Sequence, residues 1–561
     1  MKKIKYIIIS VIFLFSGISI LFAQNTDGKE FWLTFGLDRG AQNLNQYGVD
    51  FQIRIVGGNL PATVSVYFTN LDETMNFPIA AYEVFTYSLT YEQRVAVYNT
   101  EMGISNKSVH ITSNVSVSVY AFQTIYGGGY CDATNLLPVE TLGTEYYQIS
   151  YTPVFTNFDD AYAIVATQNN TLLYHDGIPM PEGVLNAGEV YYRTSTTDMT
   201  GAHITSNHPV AFFALHIGAD IPSVYPLFYQ LNAKHLIQQL APVNTWDRTF
   251  FVPVTVTASA NQIVRIVVSQ NNTTITKTGG TIRTGVPEAQ TTLLDLQAGQ
   301  FVELEIPLPS NGCFIYADKP VGICAYMTTP SSGFYYPNQM PAQTWIPGIK
   351  ETVDKPKISP FNYLGSGLHF ALIFTPKSTK NNTQVSIDGA SFEDLTGGSW
   401  IDNPDADMSF YNMPLDNENG YYIFSNPEGM VIWGYGMGIG ILSSYFYLAY
   451  SAMRDLQAAF YANDIHCGDL ENNQICEKEV NFRAEIENIG VEVDSIKWYI
   501  NGVEFEPAQN QETWDYTFTQ VGVYEITMEV YYFENGETKT KTITGTLKRK
   551  DLWVKMRNVK H

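Results

Sequence analysis

The residues equipped for chemistry are nine histidines, five cysteines and a surplus of acids, and their spacing decides what they can do. His203 and His208 flank a polar step and His216 follows shortly after, a grouping that invites a metal. No HExxH and no paired CxxC accompanies them. A serine nucleophile would need a GxSxG elbow, which is absent, and Ser366 between Gly365 and Gly367 reads as loop. With 55 acids a facing carboxylate pair can always be drawn, so a glycan-active hydrolase stands as the third functional reading. Asp402, Asn403, Asp405 and Asp407, followed by Asp416 to Asn419, make an acidic stretch without EF-hand order, which reads as a solvated loop. The expectation is a non-enzyme with no cofactor and no metal.

Cysteine spacing suggests two bridges. Cys313 and Cys324 lie symmetrically about Ala317-Asp318-Lys319-Pro320, so a hairpin turning there would set them face to face. Cys467 and Cys476 enclose a short polar loop, and Cys131 is left as the odd thiol.

The elements that must position these residues repeat. SVHITSNVSVSVYAF from Ser108 recurs as GAHITSNHPVAFFAL from Gly201, GCFIYADKPVGICAY from Gly312 and GYYIFSNPEGMVIWGY from Gly420. Two alternating β-type runs about an Asn/Asp/Pro centre predict a β-hairpin in each copy. The position of His203 is filled by His110, Phe314 and Tyr422, which asks for a planar packing ring and removes the metal reading. A second predicted hairpin precedes it, as in YAIVATQNNTLLYHDG from Tyr162 and VRIVVSQNNTTITKTGG from Val264. The Asn-Asn-Thr triplets at Asn169, Asn271 and Asn381 are formal glycosylation sequons, but turn chemistry accounts for them, since Asn tolerates positive φ. A third element follows, as LLPVETLG from Leu136 and QLAPVNTW from Gln239.

Four units of roughly 100 residues, each with six or seven short strands, predict an all-β chain of tandem sandwich-like repeats, with a β-propeller as the alternative. The expected divisions are 24–150, 151–253, 254–358 and 359–462, with helix only in scraps such as Ala452 to Ala462. Residues 467–548 change texture to long clean alternations around Trp498 and predict a separate sandwich, with Trp498 packed on Tyr524. A basic tail, 549–561, closes the chain. Residues 1–23 carry Lys2, Lys3 and Lys5 before an apolar run ending at Ala23, and read as a signal peptide. No later stretch predicts a membrane span, so the mature chain is expected to be secreted or at the cell surface. A net charge of −23 excludes a nucleic-acid partner on electrostatic grounds.

Asp27-Gly28-Lys29-Glu30-Phe31-Trp32-Leu33-Thr34-Phe35, the His203 to Ala211 segment, and the LPVETLG and QLAPVNTW segments together resemble the IgGFc-binding protein N-terminal domain family, from Asp27 to about Tyr450. The resemblance implies an extracellular, repeat-built all-β scaffold that binds; it supplies no ligand residues that map onto this chain. The C-terminal segment resembles PKD or Ig-like modules through Trp498, the Asn501-Gly502 turn, Tyr516, Phe518, Gly522 and Tyr524, without the acidic FGDG turn of PKD modules.

Recognition is expected in the loops of unequal length that follow the main repeat segment. They keep their aromatics: Tyr126 and Tyr130; Tyr225, Phe228 and Tyr229; Phe334, Tyr335 and Tyr336. The leading expectation is an exported binding or adhesion protein whose partner is an extracellular protein or glycan. A structural component of a surface assembly is the alternative.

Overall fold

The computed structural model describes residues 26–550, apart from 42, 46–47, 126–129, 181–182, 223–232, 257–260, 284–290, 330–338, 362–366, 417–419, 439–442, 453–456, 464, 468–469, 471–472, 488–491 and 535–536. Residues 1–23, which the sequence reads as a signal peptide, and most of the basic tail lie outside it. The chain divides into two bodies, Gln24–Asp455 and a C-terminal one from Leu456.

The four repeats are present, but neither predicted hairpin is one. Val109–Ile125, His203–Ala219 and Cys313–Met327 are single long strands that run straight through their polar centres. In the fourth repeat the same path is cut into Tyr422–Ser425 and Val431–Gly438. The strands before them, such as Asp160–Ala166 and Leu173–His175, do not pair with each other. Each pairs with one half of the long strand, the first with Val210 to His216 and the second with Ile204 to Ser206. Repeats one, three and four keep the same partners.

The polar centre is therefore a corner that divides the strand into two halves with different partners, and in the fourth repeat those halves lie in separate sheets. The leading strand of the first three repeats shows the bulge: Gly143 pairs with Val210 but Glu145 with Thr205, and the same jump occurs at Gly28/Glu30 and Asp247/Thr249. Asn114, Asn207 and Asp318 hold the corner by accepting from the backbone N–H of Thr63, Leu172 and Thr274 at 2.7, 2.7 and 2.8 Å. A turn and a corner use the same residues, which is why the sequence suggested a reversal. Cys313 and Cys324 are consequently on one strand and cannot face each other. Cys467 and Cys476 follow short strands of opposite sheets, Ile465–His466 and Gln474–Ile475, and no disulfide joins any of the five cysteines.

The repeats close into a ring. The segment after each leading strand docks on the next repeat, and the fourth docks on the first. Arg39 N–H donates to the Ile217 carbonyl, Arg265 Nη1 to the Ser150 carbonyl at 2.8 Å, Asn412 Nδ2 to the Val254 carbonyl, and Arg54 Nη1 to the Ser359 carbonyl at 3.2 Å. Arg265 lies 4.1 Å over the Tyr151 ring and Arg54 lies 4.2 Å over Phe361, so two alternate seams share one arginine-on-aromatic device. The repeat boundaries shift upstream accordingly: Gly143–Tyr147 already belongs to the second unit, while Gly103–Ser105 of the first unit joins the second unit's sheet.

In the C-terminal body, Gln457–Ala462 is a strand of the sandwich and not a helical scrap. One sheet orders Ile465–His466, Gln457–Ala462, Glu479–Glu487 and Thr513–Thr517. The other orders Gln474–Ile475, Glu537–Arg549, Gly522–Glu534, Glu492–Ile500 and Val503–Glu504. Trp498 is fully buried, but on Phe460, Phe482 and Trp514, not on Tyr524. Its cross-strand partner is Met528, four residues away from Tyr524, about 13 Å along an extended strand.

Candidate binding face

After its long strand each repeat sends a short strand to the ring axis: Tyr130–Asn135, Lys234–Gln239, Ala342–Trp345 and Ser444–Tyr450. These four strands pack against one another, one from each repeat. At their centre lies the Asp132 carboxylate. Oδ1 accepts from the N–H of Ala133 at 2.9 Å and of Phe446 at 3.5 Å, and Oδ2 from Gln343 at 3.2 Å and Ile237 at 3.3 Å. One side chain thus ties the backbones of all four repeats. Burial pushes its pKa well above the ordinary carboxylate range, against the pull of the four amides.

The segments 126–129, 223–232, 330–338 and 439–442 join the long strands to these axial strands. Tyr126, Tyr225, Phe228, Tyr229, Phe334, Tyr335 and Tyr336 lie outside the described residues. Tyr130 opens the first axial strand, with its backbone paired to Ile125. The flanks of the four segments are brought together. Cys131 Sγ is 2.8 Å from Ser443 Oγ, the Met340 N–H donates to Ser444 Oγ at 2.9 Å, and Thr329 donates to the Ile221 carbonyl through N–H and to Asp220 Oδ1 through its hydroxyl.

Two titratable groups beside these flanks sit near neutrality. Burial raises Asp38 to about 7, opposed by the Gly40 N–H and the charge of Lys234, and burial lowers Lys234 to about 7, opposed by Cys131 and Asp38. Burial likewise lifts the Cys131, Cys313 and Cys324 thiols to about 12, which keeps them protonated and unreactive.

The histidine position behaves as a packing site. His110 stacks on Trp32 at 4.0 Å and 7°, His203 on Tyr147 at 4.6 Å, and each Nε2 meets a glutamate, Glu30 or Glu145, at 2.8 Å. His216 is fully buried, and burial lowers its pKa to about 3. Asp402 is held by Lys380, Lys377 and Ser409, and Asn403 accepts from the N–H of Asp405 and Ala406. Asn170 and Asn272 have φ of 62° and 57°, as turn chemistry requires, whereas Asn382 closes a short 3-10 turn.

Sequence reasoning missed Asp132. Its signal was a lone acid inside a strand, set between Cys131 and Ala133. It also missed Tyr82, a non-glycine residue at φ 62° whose ring lies nearly parallel to Tyr421, 6.3 Å away and tilted by 10°.

Comparison with known proteins adds a family. The model described as IgGFc binding protein matches residues 19–196 and 132–436, two overlapping stretches. No curated protein matches the chain. Among solved structures, an ICAM-5 D1–D4 ectodomain fragment is 9% identical, covering 77% of this chain and 95% of that one at TM-score 0.15. Chicken CNTN1 FN1–FN3 domains give 10%, 52% and 100% at TM-score 0.11, and the bacterial integrin-binding protein invasin gives 8%, 93% and 78% at TM-score 0.14. TM-scores this low support no argument from those folds.

Proposed function

The chain belongs to the IgGFc binding protein family, and from that premise we propose that it is an exported, non-catalytic binding or adhesion protein whose partner is an extracellular protein or glycan. The observation that carries this reading is the gathering of all four axial strands, which attaches the four connecting segments, three of them aromatic-bearing, to one hub. Recognition built on loops over a fixed scaffold needs that geometry. Tyr126, Tyr130, Tyr225, Phe228, Tyr229, Phe334, Tyr335 and Tyr336 are the residues assigned to contact the partner. Tyrosine suits the task because it offers a large contact area at small entropic cost.

The C-terminal body is read as an Ig-like module. Supporting this are its two-sheet strand order, the buried Trp498 and the Tyr524 hydroxyl, which donates back to the Gln520 carbonyl at 2.9 Å in the manner of a tyrosine corner.

The test replaces Tyr225, Phe228 and Tyr229 together by Ser in the full chain. Binding to immobilised immunoglobulin Fc and to a glycan panel is compared with the parent, alongside the melting temperature. Loss of the parent's binding with an unchanged melting temperature is expected. Intact binding, or a lost folding transition, overturns the assignment, because a buried aromatic costs about 3 to 5 kcal/mol when removed whereas a contact ring costs little.

A further inference from the structure

One turn recurs in three repeats, with one residue out of place. Asn186-Ala187-Gly188-Glu189 and Gln297-Ala298-Gly299-Gln300 are each closed by a bond from the fourth N–H to the first carbonyl, both at 2.9 Å. The fourth side chain of each accepts from the first N–H, at 2.6 and 2.8 Å. Their glycines have φ of 85° and 82°. Ala80-Ala81-Tyr82-Glu83 forms the same turn with the same two bonds, at 3.1 and 2.6 Å, and puts Tyr82 where the others have glycine. Positive φ is sterically costly for a bulky residue.

The position faces a neighbouring repeat in each case. A Cβ on Gly188 would meet Trp32 and Thr69 of the first repeat at 3.2 Å, and one on Gly299 would meet the Gly201 carbonyl at 2.8 Å. Those seams are packed backbone to side chain or backbone to backbone. At the seam between the fourth and first repeats, Tyr82 meets Tyr421, which follows Gly420, the counterpart of Gly201. Both rings are partly exposed, and no hydrogen bond engages either hydroxyl among the described residues. Glu83 and Asp388 flank them: Asp388 Oδ1 accepts the Tyr421 N–H at 2.9 Å. The neighbouring Gly389 leaves room for the Tyr421 hydroxyl, which an added Cβ would meet at 2.8 Å.

Paired aromatic faces beside carboxylates, on a chain of net charge −23, are complementary to a cation. The fold uses the same pairing internally, with Arg54 on Phe361 and Arg265 on Tyr151, each at a seam between repeats. We propose that the Tyr82–Tyr421 pair is a docking site for an arginine side chain of a partner protein, with Glu83 and Asp388 as the acidic rim. The proposal does not depend on the axial loops.

Tyr82→Gly is the decisive variant, because glycine is what two other repeats carry in this turn. The probe is a ten-residue peptide of alternating Arg and Gly. Its counterpart with citrulline, which keeps the shape and loses the charge, is the control, and both are titrated onto the full chain at low and physiological salt. The parent is expected to bind the arginine peptide at least tenfold more tightly than the citrulline one. Tyr82→Gly and Tyr421→Ala should each erase most of that preference, with the melting temperature of Tyr82→Gly unchanged or raised. A melting temperature that falls in Tyr82→Gly makes the stack a seam fastener and overturns the proposal. So does an arginine preference that survives both changes, or a parent that prefers the neutral oligosaccharide cellohexaose to the arginine peptide.

Discussion

Replacing Asp132 should loosen the ring more than any surface change, and the size of the effect follows from its four amides. Asp132→Ala leaves the N–H groups of Ala133, Gln343, Ile237 and Phe446 without their acceptor in a site sealed from water. A buried unmade hydrogen bond costs about 1 to 3 kcal/mol. The contacts at 3.3 and 3.5 Å are weak, and removing a buried carboxylate recovers part of its desolvation cost, so the net loss should be about 3 to 6 kcal/mol. Asp132→Asn is isosteric but turns one acceptor into a donor facing two N–H groups, which should cost about 2 to 4 kcal/mol. The assay is chemical denaturation of the full chain, following the transition of the Gln24–Asp455 body. If both variants stay within about 1 kcal/mol of the parent, the four-way contact does not set the register of the repeats and the reasoning fails.

Other outcomes follow from the same interior. Arg265 is buried against Asp198 at 2.9 Å and Glu303 at 3.0 Å, so Arg265→Met should destabilise the ring by about 3 to 5 kcal/mol by stranding two acids, read by the same denaturation. Asp160 is raised to about 8, first by burial and then by the charge of Asp198. Its contribution is therefore full below pH 4 and is lost as pH rises to 8, by about 1.4 kcal/mol per pH unit at most, and Asp160→Asn should flatten that slope when variant and parent are compared across the range. His216 and His235, lowered to about 3 by burial, act in the opposite sense, with stability lost as pH falls below 6.5, so only the difference between the two proteins isolates Asp160. A thiol reagent should titrate Cys131, Cys313 and Cys324 only after unfolding; prompt labelling of any of them in the native chain would contradict their burial.

What was legible in the sequence was local and repeated. Alternation, corner residues and the copies' order gave four β-units, and the substitution of His203 by aromatic residues elsewhere correctly marked a stacked ring. Direction was not legible. Ser206-Asn207-His208-Pro209 can reverse a chain or bend it, and the choice is made by Leu172, whose N–H donates to the Asn207 side-chain Oδ1 across the corner. That partner is 35 residues away and belongs to no local pattern. The axial node was hidden for the same reason, since the four amides around Asp132 span positions 133 to 446. Tyr82 was different. Its place opposite two glycines was available by aligning AAYE with NAGE and QAGQ, and only the positive φ shows why the mismatch matters.

Ring closure places a distinct demand on one seam. Three seams join repeats that are consecutive in the chain, so covalent continuity holds their partners close and loop entropy opposes their docking only weakly. The seam between the fourth and first repeats has no such link and must be held by contacts alone. It carries its own set: Asp27 meets Lys357 at 3.6 Å and accepts from the Tyr450 hydroxyl, Thr26 N–H donates to the Ser451 carbonyl, Tyr120 hydroxyl to the Ala449 carbonyl, and Arg54 to the Ser359 and Pro360 carbonyls. Each such bond contributes about 1 kcal/mol net, and more where a charge is involved. Together they can offset the entropy of docking the two ends. A seam already secured in its interior can tolerate a strained tyrosine at its rim, whereas the tightly packed Gly201–Gly299 seam has no space for one. The one junction that the chain does not close covalently is thus the one where a partner's side chain can be admitted without opening the ring.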